Sequence, residues 1–532
     1  MNRSRDVLER SFCAVVFALC CVLTACFLIV GYGAYLDSDM SSELTLAQHL
    51  CREGTLVSSS WYYSTEIRLL STQLVYTPLM ALFPHDWRMV RTLGNLILAA
   101  VLAGACCFAA RQAGARRRWA LLLSGLSLCP VSPQYAQFML VGAYYVPHAV
   151  LTMLALGLYA RAMRPGRRGV SVALLLVLSL LMGMSSVRYL MCALLPLCGA
   201  AVWQIVFPAR EDLARSGRQA ACTALGLGAA ACGAVGYLFP QRVLTGALHW
   251  GNGYYAVVSY ASLVGEGMEG KVLVILKGLL DMLGYEDGAA LFSLHGMINA
   301  LVLMLLSAAG MMVARLLRSV RLAQGTQEEC ARFGALMLVC AAGLTATAFL
   351  LLSSMYMDRY WIPLLALAMP VLAVALSRER DALLRALFAG FLSVTLLVNS
   401  VSCVKNALAH PQYLTDKRMA AVEAIRERGL SLGYATFWNA NIVTELSDGE
   451  IEVVALEQTG GGMRPLYWME AKESFAMNAP EEPVFLLLGV WEEEGMEDFL
   501  ARCRAERFEL DGWINLYEIP SQRLLLESLT GI

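Results

Sequence analysis

Long apolar runs, broken by short polar stretches rich in arginine, set the pattern of this chain. A run of about 17 to 25 apolar residues has the length that crosses a bilayer as a helix. Eleven stretches fit, at roughly 12–34, 92–110, 119–135, 138–160, 170–187, 189–207, 219–239, 289–314, 333–352, 361–377 and 385–403. The first, Phe12 to Tyr32, follows Arg3, Arg5 and Arg10, and no small-residue cleavage site precedes the polar stretch after it. It reads as an uncleaved signal-anchor and first span.

The basic residues between spans alternate. Arg111 and Arg116 to Arg118 follow the second span; Arg161, Arg164, Arg167 and Arg168 follow the fourth; Arg210, Arg215 and Arg218 follow the sixth. Arg315, Arg318, Arg321 and Arg332 flank the loop after the eighth, and Arg378, Arg380 and Arg385 the loop after the tenth. The positive-inside rule then places the N-terminus in the cytoplasm. An odd number of spans puts the C-terminal segment outside. The resulting organisation is a transmembrane domain over 1–403 and an extracytoplasmic α/β domain over 404–532, with long outer loops at 35–90 and 240–288.

Those outer segments carry their own patterns. Met40, Leu44, Ala47, Leu50 and Cys51 recur at helical spacing, as do Ile67, Leu70, Leu74, Leu79 and Leu82. Both read as amphipathic helices lying on the membrane surface. Lys271 to Leu283 is too short to span with ease and reads as an interfacial or re-entrant helix. In the tail, Thr415 to Arg428 and Glu493 to Arg507 read as helices. Leu432 to Phe437, Ile451 to Leu456, Val484 to Leu488 and Leu516 to Ile519 read as strands. Gly460 to Gly462 form a flexible loop without the strand–loop–helix context of a phosphate cradle.

Composition strengthens the membrane assignment. The chain is 58% hydrophobic and 16% charged, with a mean hydropathy of +0.57, whereas soluble domains carry about a quarter charged residues. A net charge of -1 gives no sign of a nucleic-acid partner. The sixteen cysteines lie mostly in apolar runs and show no metal-type spacing with histidine. Cys51 and Cys503 lie outside the spans, within reach of a disulfide as far as sequence can tell.

Chemistry concentrates at the outer ends of spans. Asp37 and Asp39 sit where the first span leaves the outer leaflet, and Glu66 and Arg68 follow in the same loop. A carboxylate there can serve as general base toward a hydroxyl; it can equally be solvated loop charge. Arg91, Arg188, Arg242 and Arg359 lie at outer span ends against the positive-inside trend, and Tyr189 and Tyr360 follow two of them. Arginine grips phosphate bidentately, although arginine and tyrosine also anchor spans at this depth. His148, after Pro147, lies near the outer end of the fourth span, as a pocket residue or a packing one. Lys271 and Lys277 could touch phosphate or headgroups; Trp438, Asn439 and Asn441 could meet sugar or open a helix.

With these residues placed, the chain resembles the glycosyltransferase C (GT-C) superfamily. Asp39 and Ala47 match the spacing of its motif, an acid at a helix start with an alanine eight residues on. Met40 follows Asp39, so a second acid would be Glu43, Asp37 or Glu66. Arg91 in DWRMVRTLGNL is similar to the superfamily's arginine before its second span. The resemblance covers roughly 1–400. It implies a mostly α polytopic membrane protein with about eleven transmembrane helices, amphipathic outer-loop helices and a small C-terminal extracytoplasmic α/β domain.

It also implies transfer of a sugar from a polyprenyl-phosphate carrier to an envelope glycan, lipid or protein, on the outer face of a bacterial cytoplasmic membrane. Asp39, with Asp37, would activate the acceptor. Arg91, Arg188 and Arg359 would hold the phosphate, with Tyr189, Tyr360 and Arg68 beside it, and Glu66 and His148 would line the pocket. A divalent metal, Mg or Mn, bridging carboxylate and phosphate is compatible, but no ligand spacing demands it. Two rivals come from other classes. A transporter or flippase for lipid-linked glycans expects mid-membrane charge and paired broken helices. An envelope scaffold or sensor expects Asp39 to be dispensable.

Overall fold

The computed structural model describes residues 2–164, 168–206, 213–250, 268–321, 326–352, 356–411, 415–510 and 512–530; Arg167 and Arg210 of the basic loops fall outside them. The chain divides into two compact units. One comprises Met1–Leu28, Leu96–Val243 and Gly253–Asn406; the other comprises Ile29–Asn95, Leu244–Asn252 and Ala407–Ile532.

The first unit is helical because its sequence offers long apolar stretches with almost no charge. Nine helices among the described residues are long and apolar enough to cross a membrane, and a tenth span follows if the bent pair Pro133–Val141 and Val146–Ala162 is counted as one. The chain is a multi-pass membrane protein. The span expected at 119–135 is broken into a ten-residue helix, Arg117–Leu126, and a short one, Pro133–Tyr135, that opens the bent pair. The apolar run continues beyond the first, but Pro130 and Pro133 interrupt the backbone hydrogen-bond ladder. The second half of the bent pair turns by 81°, through Ala143, which adopts a left-handed φ of 55°.

Glycine sets one close packing. A Cβ built on Gly183 would meet the Gly233 carbonyl oxygen at 1.9 Å, and one on Gly236 would meet the Leu180 carbonyl oxygen at 2.1 Å. The helices Arg168–Ser185 and Leu213–Phe239 therefore touch backbone to backbone. This is how helices associate where the hydrophobic effect gives no drive. Six-residue and five-residue π-helical turns, Ala136–Val141 and Leu190–Leu194, interrupt two other helices. Such turns recur at functional sites, and these two lie beside the residues described below.

The second unit is α/β. Its strands are β1 (Trp61–Tyr63), β2 (His249–Trp250), β3 (Leu432–Thr436), β4 (Glu452–Thr459), β5 (Gly462–Pro465), β6 (Glu470–Ala471), β7 (Val484–Gly489), β8 (Glu506–Glu509) and β9 (Ile514–Ile519). A six-stranded sheet runs β5-β4-β3-β7-β9-β8 and a three-stranded one β2-β1-β6. β3 pairs in parallel with β4 and β7, and the outer pairings are antiparallel. β7 is buried along its whole length, as a central strand with both faces covered should be. Tyr434, Leu486, Leu488, Phe499, Tyr517 and Leu525 form its core. The four strands expected in the tail are all present. The helix expected over 493–507 is shorter, Glu497–Arg502, because its last residues enter β8. Cys51 and Cys503 are free thiols.

Glu470 ties the two sheets together. Its Oε2 accepts a hydrogen bond from the Ala455 amide (3.1 Å), and Oε1 accepts from Ala471 N and Ser474 Oγ (3.0 Å each). Burial pushes its carboxyl from an ordinary 4.5 up to about 7, with Glu452 adding to the effect. Between those values the folded protein binds more protons than the unfolded chain. The stabilisation is thus complete below about 4.5 and is lost as pH rises through 7. A shift of this size corresponds to roughly 3 kcal/mol. Thermal unfolding of the full-length protein in detergent should therefore show greater stability at pH 5.5 than at pH 8. Glu470→Gln, which stays neutral, should flatten that dependence; an unchanged slope would mean that another group carries it.

Candidate active site

The second unit assembles the acids of the first loop around the helix Ser38–Glu53. Asp37 caps it: the extended backbone of Asp37 places Oδ1 2.9 Å from the Met40 amide, which donates to it. Asp39 sits in the first turn, half-buried, and Ser42 Oγ donates to its carbonyl at 2.7 Å. Ala47 is fully buried two turns on. The helix ends at Gly54 in the left-handed conformation, with φ 67°.

Arg91 is where the structure departs most from the sequence expectation. Its side chain is 1% exposed, and its guanidinium fork closes on Glu445, itself fully buried. Nε donates to Oε1 at 2.5 Å and Nη2 to Oε2 at 2.6 Å; Nη2 also donates to the Met40 carbonyl at 2.9 Å. Tyr32 donates its hydroxyl to the same carboxylate at 3.2 Å, and burial beside that charge pushes the phenol well above its ordinary range. Arg91 thus reaches the backbone next to Asp39 and holds the first turn of the helix in place. Nothing in the tail's composition singled out Glu445; its only signal was being the one charged residue of the helix Phe437–Leu446.

Arg68 also turns inward. It occupies a left-handed backbone conformation, φ 61°, uncommon outside glycine, and forms an ion pair with Glu43, which is 1% exposed. Glu43 further accepts from Thr72 Oγ1 and from Gln73 Nε2, the latter at 3.0 Å. The pair fastens the 64–72 segment to the Ser38–Glu53 helix. Glu66 lies partly exposed on that segment. Arg418, missed in the sequence, lies near enough to Asp37 for the two charges to attract, while burial presses its guanidinium pKa down. Asn439 and Asn441 are buried on the Phe437–Leu446 helix, and Trp438 is exposed.

The first unit gathers the other candidates into a ring of aromatic and cationic side chains. His148 stacks on Tyr189, with centroids 4.6 Å apart and planes 19° from parallel. On its other side lies Tyr145 at 5.2 Å, then Tyr144 5.4 Å further, then Phe138 at 5.8 Å from Tyr144. Arg359 closes that side. It lies 5.4 Å over the Phe138 ring, and Nη1 donates to Tyr144 Oη at 3.3 Å. Arg188, beside Tyr189, lies 5.8 Å over the Tyr360 ring, which stacks on Phe349 at 5.3 Å. The interrupted helices carry the arrangement: Phe138 lies in the first π-helical turn, Tyr189 immediately precedes the second, and Tyr144 and Tyr145 lie in the bend at 142–145. Five sequence candidates, His148, Arg188, Tyr189, Arg359 and Tyr360, therefore meet in one place. Phe138, Tyr144 and Tyr145 complete it; the two tyrosines stand just before Val146 and Pro147, and no sequence signal marks Phe138. Arg242 is exposed on the turn Pro240–Leu244.

Guanidinium groups beside aromatic faces in a half-buried setting suit an anion. The acid-capped helix suits proton abstraction from a hydroxyl. Among the described residues no three His, Cys, Asp or Glu side chains lie together as a metal site.

No protein-family model matches the sequence, and no curated protein matches it. Solved structures do. ArnT from Cupriavidus metallidurans in the apo state aligns over 100% of both chains, with 12% identity and a TM-score of 0.57. The same protein bound to undecaprenyl phosphate aligns over 97% of this chain and 98% of that one, with 13% identity and a TM-score of 0.57. The chain has the fold of ArnT. The agreement runs from end to end, so it takes in the C-terminal α/β segment as well as the residues, roughly 1–400, that the sequence resemblance covers. An oligosaccharyltransferase from Archaeoglobus fulgidus aligns more loosely, over 88% of this chain and 67% of its own, with 13% identity and a TM-score of 0.48.

Proposed function

We propose that the chain is a membrane glycosyltransferase that moves a sugar from a polyprenyl-phosphate carrier to an envelope glycan, lipid or protein, on the outer face of a bacterial cytoplasmic membrane. The observation that carries this reading is the acid pair Asp37 and Asp39 at the capped start of a buried helix, in a chain that has the fold of ArnT over its full length. ArnT has been seen with undecaprenyl phosphate bound, and a carrier of that chemistry suits the arginines of the aromatic ring.

The chemistry follows from the residues. Asp39 accepts the proton of an acceptor hydroxyl as its oxygen bonds to the anomeric carbon. The bond from that carbon to the carrier's phosphate breaks, and the phosphate leaves with the electron pair. Within the helical unit, Arg188 and Arg359 have the charge that a carrier phosphate calls for, and His148 and Tyr189 offer a flat face of the kind a sugar rests on. Asp37 caps the helix, Arg91 and Glu445 hold its first turn, and Arg68 with Glu43 fixes the neighbouring segment that carries Glu66. Arg91 and Arg68 act here as positioning residues.

A transporter would call for interrupted helices in corresponding halves of the membrane unit; the described residues contain one bent pair. The transferase reading is tested by titrating undecaprenyl phosphate into purified wild type, Arg188→Ala and Arg359→Ala. Each alanine variant should bind about tenfold more weakly or worse, since a charge-assisted pair to phosphate is lost. Arg188→Lys should recover part of the loss. Undiminished binding in both alanine variants would remove the aromatic ring from carrier recognition.

A further inference from the structure

A cavity of about 400 Å³ opens in the helical unit, and no residue of the aromatic ring lines it. Its walls come from the start of the bent pair (Ser132, Gln134), the helix Met268–Asp281 with the loop after it, the first turns of Leu294–Arg321, and the last turns of Ala382–Ala409. The last two helices carry Arg315 and Arg385 at their other ends, so the cavity sits opposite the arginine-rich loops.

Its polar groups are unbalanced. Asn399 is 3% exposed; its Nδ2 donates to the Leu283 carbonyl at 2.9 Å, which fixes the orientation of the amide, and its Oδ1 has no partner among the described residues. Gln134 repeats the arrangement: Nε2 donates to Asp358 Oδ2 at 3.2 Å, while the buried Oε1 accepts nothing. The lysine on the rim is already matched, Lys277 with Asp287 at 2.8 Å, and His295 Nδ1 lies against Glu286. Asp281 adds a further carboxyl, raised above its usual range by burial and by Asp358. The unmatched atoms are therefore acceptors, and the ionisable groups sum to an excess of negative charge. A buried acceptor without a donor is costly, and an anion would make the imbalance worse.

We infer that this cavity binds a hydroxyl-rich, non-anionic carbohydrate headgroup, whose O–H groups donate to Asn399 Oδ1 and Gln134 Oε1. If the transferase reading holds, this is a place for the acceptor glycan; the binding itself does not depend on that reading. Saturation-transfer NMR on the full-length protein in detergent, with methyl glucoside, glucosamine and glucose 6-phosphate as probes, tests it. The first two should bind, and glucose 6-phosphate should bind at least tenfold more weakly. Asn399→Leu should cost about tenfold in affinity, as loss of one buried hydrogen bond implies. Gln134→Leu gives the same readout at a less buried position should Asn399→Leu fail to fold. Binding is read without any turnover, so failure of the transferase and failure of this site remain distinguishable. Preference for the sugar phosphate, equal binding in a folded variant and wild type, or no binding of either uncharged or amino sugar would each overturn the inference.

Discussion

Arg91→Ala is expected to destabilise the α/β unit by roughly 3–5 kcal/mol, the cost of leaving a buried carboxylate without its partner. Glu445 is that carboxylate, and it also accepts from Tyr32. Loss of the guanidinium strands a charge and frees the Met40 carbonyl at the same time. Glu445→Ala should be of similar severity. Replacing both together with apolar residues, Arg91→Met with Glu445→Leu, should recover most of the loss, because no charge is then stranded. Thermal unfolding of the three variants in detergent gives the comparison. If Arg91→Ala instead unfolds like wild type while undecaprenyl phosphate no longer binds, Arg91 is a carrier ligand, as its place in the sequence suggested, and not a strut.

The second large effect is expected at Asp39. Asp39→Asn keeps size and hydrogen-bonding capacity but removes the base. Turnover should fall by about 10² to 10⁴, the usual contribution of a positioned general base, while affinity for the carrier stays within about twofold. Asp37→Asn makes a useful contrast. Asparagine caps a helix as well as aspartate does, so that variant should fold normally and lose far less activity. Equal losses at the two positions would mean that both carboxylates take part in the chemistry. A loss at Asp37 alone would exchange their roles.

Much of this was legible in the sequence. Apolar length alone marks the spans, and the failure at 119–135 is instructive: hydropathy counts Pro130 and Pro133 as harmless, whereas each removes a backbone donor. Alternation and turn residues revealed β3, β4, β7 and β9. β8 and β5 were hidden because edge strands of four residues with charged side chains, such as Glu506–Glu509, read as helix or loop. The acids of the first loop were found by position at a span end. Their supports were not, because Glu445 lies more than 350 residues from Arg91 along the chain, and no local spacing links them. The same holds for the aromatic ring. His148, Arg188 and Arg359 each had a plausible packing role, and only the π-helical turns and the bend at 142–145 show that they converge. A sequence pattern of period 3.6 cannot foresee where the period itself is broken.

The proposed reaction breaks a sugar–phosphate bond on a polyprenyl carrier. The most direct measurement is release of radiolabelled sugar from a panel of polyprenyl-phosphate sugars by the purified full-length protein in lipid nanodiscs, with envelope extract supplied as acceptor and folded Asp39→Ala run alongside. The account predicts time-dependent transfer of label by wild type and none by the variant. Carrier that binds tightly to both proteins, with every sugar still attached after prolonged incubation, would contradict it.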